Sequence, residues 1–146
     1  MTLDGEYEPS PTQWVRDQVQ KYEETGGAEA NTILNRPIVV ITSRGVKSGK
    51  LRKNPVMRVE LDGVYAAVAS KGGDPEHPIW YHNFVAHPEV DLQDGPEAKT
   101  YRARIAEGEE RADWWERAVA AYPPYAEYQE KNDLPLPVFL LAQVAG

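Results

Sequence analysis

The stretch Pro37-Ile-Val-Val-Ile-Thr42 is dominated by β-branched residues, which favour a buried strand. The dipeptides Arg44-Gly45 and Ser48-Gly49 follow it and indicate a tight, glycine-containing connection. Apolar and polar residues then alternate over 52–61, as they do in a strand with one buried face. The segment from 37 to 61 therefore predicts two successive strands rather than a strand followed by a helix.

The rest of the chain continues this strand-rich pattern. Asp62-Gly63 is a hairpin signal, so we expect the strands 52–61 and 64–70 to pair as one hairpin over 52–70. A second hairpin is expected over 89–93 and 98–106, and a last strand over 136–141. Helices are expected over 11–24, 78–86 and 109–121, with a helical turn at 125–130.

This order of elements lacks the regular alternation of strand and helix that a parallel, doubly wound sheet requires. We predict a mainly β (α+β) fold, with an antiparallel sheet closed into a small barrel and helices on its outside. The length of 146 residues suits a single domain. We expect a flexible acidic arm at 1–10 and one barrel domain at 11–146.

Composition excludes several kinds of site. The chain has no cysteine, which removes disulfides, thiolate metal sites and cysteine nucleophiles. Its histidines lie five residues apart, which turns successive ones by about 140° on a helix, so we expect no metal site. The chain has no apolar run long enough to span a membrane and no signal-peptide pattern, so we expect a soluble cytoplasmic protein. Peripheral membrane association and oligomeric state are left open.

The net charge of −7 conceals an asymmetry along the chain. No acidic residue lies between Glu29 and Glu60, whereas seven cations do: Arg36, Arg44, Lys47, Lys50, Arg52, Lys53 and Arg58. An acidic chain is not expected to bind nucleic acid, but a local basic segment suits a small anion. Solvated turn cations are the alternative interpretation.

The segment 45–52 concentrates these cations around a turn. It is not a P-loop, because only three residues separate its glycines and Leu51 follows Lys50 where that motif has Ser or Thr. Glycines allow backbone amides to approach an anion, and Lys47, Ser48 and the neighbouring cations supply charge and donors. From these residues alone, an anion site and an exposed turn are equally compatible.

Two further segments carry candidate functional groups. Val68-Ala-Ser-Lys-Gly-Gly73 has small residues at a strand end, where a flat ligand can approach. Tyr122, Tyr125 and Tyr128 recur at intervals of three, and each hydroxyl can donate a hydrogen bond or a proton. An ordinary hairpin exit and core packing are the alternatives for these two segments.

In this order, these segments resemble the deazaflavin-dependent nitroreductase family of actinobacteria. The resemblance runs from about 36 to 141, and its motifs are 41–55, 69–73, 78–83 with 86–90, and 122–128. It implies a split β-barrel, FMN-binding-like in architecture, and coenzyme F420 as cofactor. That deazaflavin carries a phosphate and an oligoglutamate tail. FMN is the alternative cofactor.

The resemblance also implies roles for particular residues. The phosphate and tail would contact Lys47, Ser48, Arg52, Asn54 and Pro55. The ring and linker would face Ala69, Ser70, Lys71 and Gly72, with Trp80 nearby. The substrate pocket would be bounded by Met57, Tyr122, Tyr125 and Tyr128. Ser70 and Tyr125 are the candidate catalytic residues, for a hydrogen bond near the ring and for the acceptor oxygen.

The implied reaction is hydride transfer from reduced F420 to a quinone, a nitroaromatic or an enone. An FMN-dependent split-barrel oxidoreductase and a non-catalytic F420-binding protein are the alternatives. Two positions depart from the family pattern. Val46 stands where arginine is frequent, with Arg44 as a candidate replacement, and Met57 stands where an aromatic residue is frequent.

Overall fold

A computed structural model describes residues 3–70 and 77–144, which form four helices and eight strands. The helices are α1 (Gln13–Glu24), α2 (Ile79–Ala86), α3 (Gly108–Ala121) and α4 (Pro124–Glu130). The strands are β1 (Thr32–Ile33), β2 (Arg36–Arg44), β3 (Leu51–Met57), β4 (Glu60–Leu61), β5 (Val64–Val68), β6 (Glu89–Asp94), β7 (Glu97–Ile105) and β8 (Val138–Gln143).

The strands form one antiparallel sheet in the order β1-β2-β6-β7-β8-β5-β4, with β3 paired to β2. A corner after β3 joins the two ends of this sheet. Its Arg58 amide donates to the Pro37 carbonyl of β2 at 2.9 Å, and the Ala66 amide of β5 donates to the Val59 carbonyl at 2.8 Å. The sheet therefore curls on itself, and the predicted antiparallel split barrel with flanking helices is confirmed.

The concave face of the sheet carries the main core. Side chains from β2, β5, β6, β7 and β8 meet there, and the rings of Tyr65 and Tyr101 pack edge to face at 5.6 Å across non-adjacent strands. Trp80 and Phe84 of α2 belong to the same cluster, so α2 covers the concave side. Helix α2 therefore flanks the barrel with its aromatic side chains packed into the main core, as its apolar composition favours.

The convex face carries two smaller cores, each covered by helices. Val19 and Tyr22 of α1 pack on Ile38 and Val40 of β2. Helices α3 and α4 cover β5 and β8, with Trp114, Ala118, Tyr122 and Tyr125 among the buried residues. Alternation along each strand produces this division, because successive side chains point to opposite faces.

The predicted hairpin over 52–70 is wrong in its pairing. Along 51–57, β3 pairs with β2, and only Glu60-Leu61 pairs with Val64-Tyr65. Val59 is 4% exposed and packs into the core under α3, so the chain turns inward there and β3 ends. Pro55 fits this arrangement, since an edge strand tolerates a residue without an amide hydrogen.

Candidate active site

The turn between β2 and β3 holds Lys47 at its exposed tip. The Gly45 amide donates to the Lys50 carbonyl at 2.8 Å, and the Gly49 amide donates to the Gly45 carbonyl at 3.0 Å. Gly49 has a φ of +72°, a conformation that favours glycine. Ser48 Oγ accepts from the Lys50 amide at 3.1 Å and keeps its own hydrogen to donate. The turn is therefore a fixed platform that carries a cation.

Asn83 of α2 anchors this turn to the barrel. The Val46 amide donates to Asn83 Oδ1 at 3.1 Å, and Asn83 is 3% exposed. Sequence reasoning included Asn83 in a motif but assigned it no role. An asparagine inside an eight-residue helix made mostly of aromatic and aliphatic residues was the available signal.

Arg44 does not occupy the place of the arginine that is absent at Val46. Its guanidinium donates from Nη1 to the Gly49 carbonyl at 2.9 Å and from Nη2 to the Asp4 carbonyl at 2.7 Å. Arg44 thus ties the turn to the N-terminal segment. Within the described parts of the chain, Lys47 makes no ion pair and keeps its charge accessible.

An open cleft of about 340 Å³ lies between β3, α2 and the start of α1. Four of the predicted cofactor residues line it: Arg52, Asn54, Pro55 and Trp80. Its other walls come from Ser10, Pro11, Thr12, Trp14, Val15, Pro78, Ile79 and Asn83. A guanidinium, an amide and hydroxyls here face aromatic and aliphatic surface, which suits a ligand with one anionic part and one flat part.

The N-terminal wall of the cleft was not foreseen from the sequence. Trp14 is 57% exposed and Ile79 is 73% exposed at this cleft, so both present apolar surface to solvent. The sequence predicts a helix over 11–24 that includes Trp14, but it assigns Trp14 no role at a site. Its polar neighbours at the start of the helix, Thr12 and Gln13, were a weak sequence signal that Trp14 is exposed. A tryptophan in a core is rarely so exposed.

Ser43 provides a further test of whether the cleft suits a polar ligand. Ser43 lies opposite Arg52, and Ile41 lies opposite Asn54, so these side chains share one face of the β2–β3 pair. Ser43 is 1% exposed, and its Oγ has no hydrogen-bond partner among the described residues. An unsatisfied buried hydroxyl on this face is compatible with a polar group bound beside it.

The small residues at the end of β5 lie where the strand ends. Ala69 is 1% exposed in the concave core, and its amide donates to the Pro137 carbonyl at 2.8 Å. Ser70 is half-buried, and its amide donates to the Val68 carbonyl at 2.9 Å, so the chain bends here. Lys71 and Gly72 lie outside the described residues.

The three tyrosines form one cluster over the convex face of β5 and β8. The hydroxyls of Tyr122 and Tyr128 lie 2.9 Å apart, and the rings of Tyr122 and Tyr125 pack at 4.9 Å. Burial and the Tyr128 hydroxyl raise the pKa of Tyr122 to about 12, and burial raises the pKa of Tyr125 as well. The hydroxyls of Tyr122 and Tyr125 are therefore protonated at neutral pH. They do not line the cleft that contains Arg52.

Met57 connects the two regions. It is half-buried at the end of β3 and packs against both the core that contains Tyr122 and Tyr125 and the core under α1. Arg52 and Met57 are five residues apart on one strand, a distance of about 17 Å at the usual rise per residue. One strand therefore runs from the cationic turn, past the cleft, to the tyrosines.

Neither a metal centre nor a membrane span is found in the described ranges. No group of three or more His, Asp and Glu side chains there is arranged to hold a metal ion. None of the helices there combines the length and apolarity needed to cross a bilayer.

Comparison with known proteins points to one family. Residues 14–143 match the model of the F420H(2)-dependent quinone reductase family. An F420H(2)-dependent quinone reductase of Mycobacterium tuberculosis is 30% identical over 110 residues, which cover 73% of this chain and 74% of that protein.

Two solved structures are more similar in sequence. A structure of an F420-H2 dependent reductase (FDR-A) is 58% identical, with a TM-score of 0.70, and the match covers 75% of this chain and 97% of that chain. A structure described as a domain-swapped dimer is 55% identical, with a TM-score of 0.72, covering 90% of this chain and 99% of the other.

Proposed function

The chain belongs to the F420H(2)-dependent quinone reductase family, and we propose that it reduces a quinone with F420H2 along the β3 side of the barrel. It is an oxidoreductase whose cofactor is coenzyme F420. When bound, the reduced cofactor supplies a hydride. A hydride together with one proton converts a quinone to a hydroquinone, so the protein has to orient the two molecules and allow a proton to arrive.

The observation that carries this proposal is the order of side chains along β3. A cationic turn with Lys47 precedes the strand, Arg52 and Asn54 line the cleft in its middle, and Met57 ends it against the core that contains Tyr122 and Tyr125. This order matches a ligand with an anionic tail at one end and a flat ring at the other. The cleft volume of about 340 Å³ is within the range of small-molecule sites.

The cofactor residues that we propose have distinct tasks. Lys47, Ser48 and Arg52 bind the phosphate and tail, while Asn54, Pro55 and Trp80 hold the linker and support the ring. Arg52 is suited to the phosphate because its planar donors match an oxyanion in a fixed geometry. The resemblance assigns Ala69, Ser70, Lys71 and Gly72 to the ring and linker, and we propose that Ser70 supplies a hydrogen bond to the ring. The Ser43 hydroxyl, which has no hydrogen-bond partner among the described residues, supports a polar contact on the face of the β2–β3 pair that carries Arg52 and Asn54.

The acceptor side that we propose involves Met57 and the tyrosine cluster. Tyr125 holds the acceptor oxygen, and Tyr122 and Tyr128 keep it in place through packing and their paired hydroxyls. The raised pKa of Tyr125 keeps its phenol protonated, so it donates a hydrogen bond readily but gives up a proton less easily. Solvent is therefore the better source of the one proton that the reaction needs. A flexible Met57 side chain adapts to quinones of different shape. The exposed face of the bound deazaflavin ring also suits nitroaromatic acceptors.

The experiment is anaerobic oxidation of F420H2 by the purified protein, monitored through the return of F420 fluorescence. We expect oxidation that depends on added quinone and yields one hydroquinone per F420. Tyr125→Phe should lower kcat more than it changes the F420 dissociation constant. An absence of quinone-dependent oxidation with F420 bound would contradict the proposed reaction.

A further inference from the structure

The acidic N-terminal arm, residues 4–8 (Asp-Gly-Glu-Tyr-Glu), lies against the beginning of β3. The Leu51 amide donates to the Glu6 carbonyl at 2.7 Å, and the Glu8 amide donates to the Leu51 carbonyl at 2.9 Å. Tyr7 and Leu51 form a parallel β-bridge. The sequence predicts a flexible arm here, and its mobility stays a prediction, but in the structure the arm adds a short strand to an edge of the sheet.

The carboxylates of the acidic arm meet Arg52, a cation of the proposed cofactor-tail site, and the neighbouring Lys50. Glu6 Oε2 lies 3.7 Å from Lys50 Nζ, and Glu8 Oε2 lies 3.4 Å from Arg52 Nη1. The Tyr7 ring faces Lys53 Nζ at 5.0 Å instead, as strand alternation requires of the residue between them. Since Arg52 lines the cleft, Glu8 neutralises a cation of the cleft itself.

We propose that the acidic arm is an intramolecular substitute for the cofactor tail, and that the oligoglutamate tail displaces Glu6 and Glu8 from Lys50 and Arg52. This inference rests on the proposed function. The arm and the tail present the same chemistry, which is a series of carboxylates on an extended chain. Glu6 and Glu8 therefore lower the affinity for deazaflavins with an anionic tail and leave the affinity for tail-free deazaflavins unchanged.

The exposure of these groups makes the exchange feasible. The side chains of Glu6 and Lys50 are 76% and 44% exposed, and those of Glu8 and Arg52 are 41% and 23% exposed. Exposed ion pairs are weak, so a ligand with several carboxylates and a bound ring can displace them. A ligand without a tail replaces neither ion pair and gains nothing from the same cations.

The first test compares dissociation constants for the wild-type chain and the double variant Glu6→Gln/Glu8→Gln. The probes are F420 with its glutamate tail and the tail-free deazaflavin that lacks phosphate and glutamates, both followed by fluorescence. We expect the variant to bind F420 about 3- to 10-fold more tightly, and the tail-free compound with unchanged affinity. The matched control is Asp113→Asn/Glu116→Gln on α3, which makes the same change in net charge at exposed positions away from the arm.

The second readout is hydrogen exchange at the Leu51 amide, which is protected by the Glu6 carbonyl only while the arm is in place. Saturating F420 should accelerate exchange at Leu51, whereas the tail-free compound should not. If wild type and variant bind F420 equally, or the variant binds it more weakly, the inference is wrong while the proposed function stands. If neither protein binds F420, both are wrong.

Discussion

Arg58 donates from Nε to Oδ2 of Asp94 at 2.9 Å, and this contact joins the corner after β3 to the end of β6. The Tyr65 hydroxyl of β5 donates to the same carboxylate oxygen. One carboxylate thus links three parts of the sheet that are distant in sequence. The position of the corner sets where β3 ends, and with it the distance between the cleft and the tyrosines.

Replacing Asp94 with alanine should therefore destabilise the barrel. Arg58 and Tyr65 would lose their shared acceptor, and we expect the free energy of unfolding in urea to fall by about 1–2 kcal/mol, at the lower end because Arg58 is partly exposed. The control is Glu110→Gln, which removes an exposed ion pair with Arg104 and should change stability little. An Asp94→Ala variant as stable as the control would show that the corner is held by packing alone.

The paired tyrosines should make stability sensitive to high pH. The pKa of Tyr122 is raised to about 12, so its stabilising contribution is complete below pH 10, where the phenol is neutral in both states. Above pH 10 the unfolded chain loses this proton first, and the free energy of unfolding falls until about pH 12. We expect Tyr122→Phe to reduce this slope by up to about 1.4 kcal/mol per pH unit in urea titrations. Parallel slopes for the two proteins would contradict the assignment.

Much of the fold follows from local patterns that the structure retains. The β-branched run at 37–42, the helix at 109–121 and the hairpin across Asp94-Gly95 all form close to where the sequence predicts them. The pairing of β3 could not be predicted in this way. A strand of alternating polarity fits either neighbour, and the choice of β2 depends on burial of Val59 against α3, which is far away in sequence.

Loss of Asn83 should loosen the turn that presents Lys47. Asn83→Ala removes the acceptor of the Val46 amide, so exchange at that amide should accelerate by about fivefold, the equivalent of one hydrogen bond. We expect weaker F420 binding together with this change, because the turn is less well fixed. The control is Asn31→Ala, because the side-chain amide of Asn31 donates to the Gly27 carbonyl in its own exposed loop. If Asn83→Ala left both measurements unchanged, the turn would be rigid without its anchor.

Removing two cations of the proposed cofactor site, Lys47 and Arg52, should weaken cofactor binding strongly. We expect Lys47→Ala/Arg52→Ala to raise the F420 dissociation constant about 10- to 1000-fold and to flatten its dependence on salt. Arg36→Ala/Lys99→Ala is the matched control, since it removes two cations that belong neither to the turn nor to the cleft. Equal affinities for the two double variants would place the anion site elsewhere.

The candidate site was only partly accessible to sequence reasoning. Arg52, Asn54, Pro55 and Trp80 meet at one cleft because β3 and α2 pack together, and that convergence agrees with the motifs. The N-terminal wall, including Trp14, follows from long-range packing that no local pattern reports. The separation of the tyrosines from this cleft likewise depends on which face of β5 and β8 is covered by α3 and α4.

The most direct measurement is a titration of the purified protein with F420 by fluorescence, with FMN titrated in parallel. We expect saturable binding of F420 at micromolar concentration or below, and FMN at least about tenfold weaker because it lacks the oligoglutamate tail. An absence of F420 binding at micromolar protein, or tighter binding of FMN than of F420, would contradict the account.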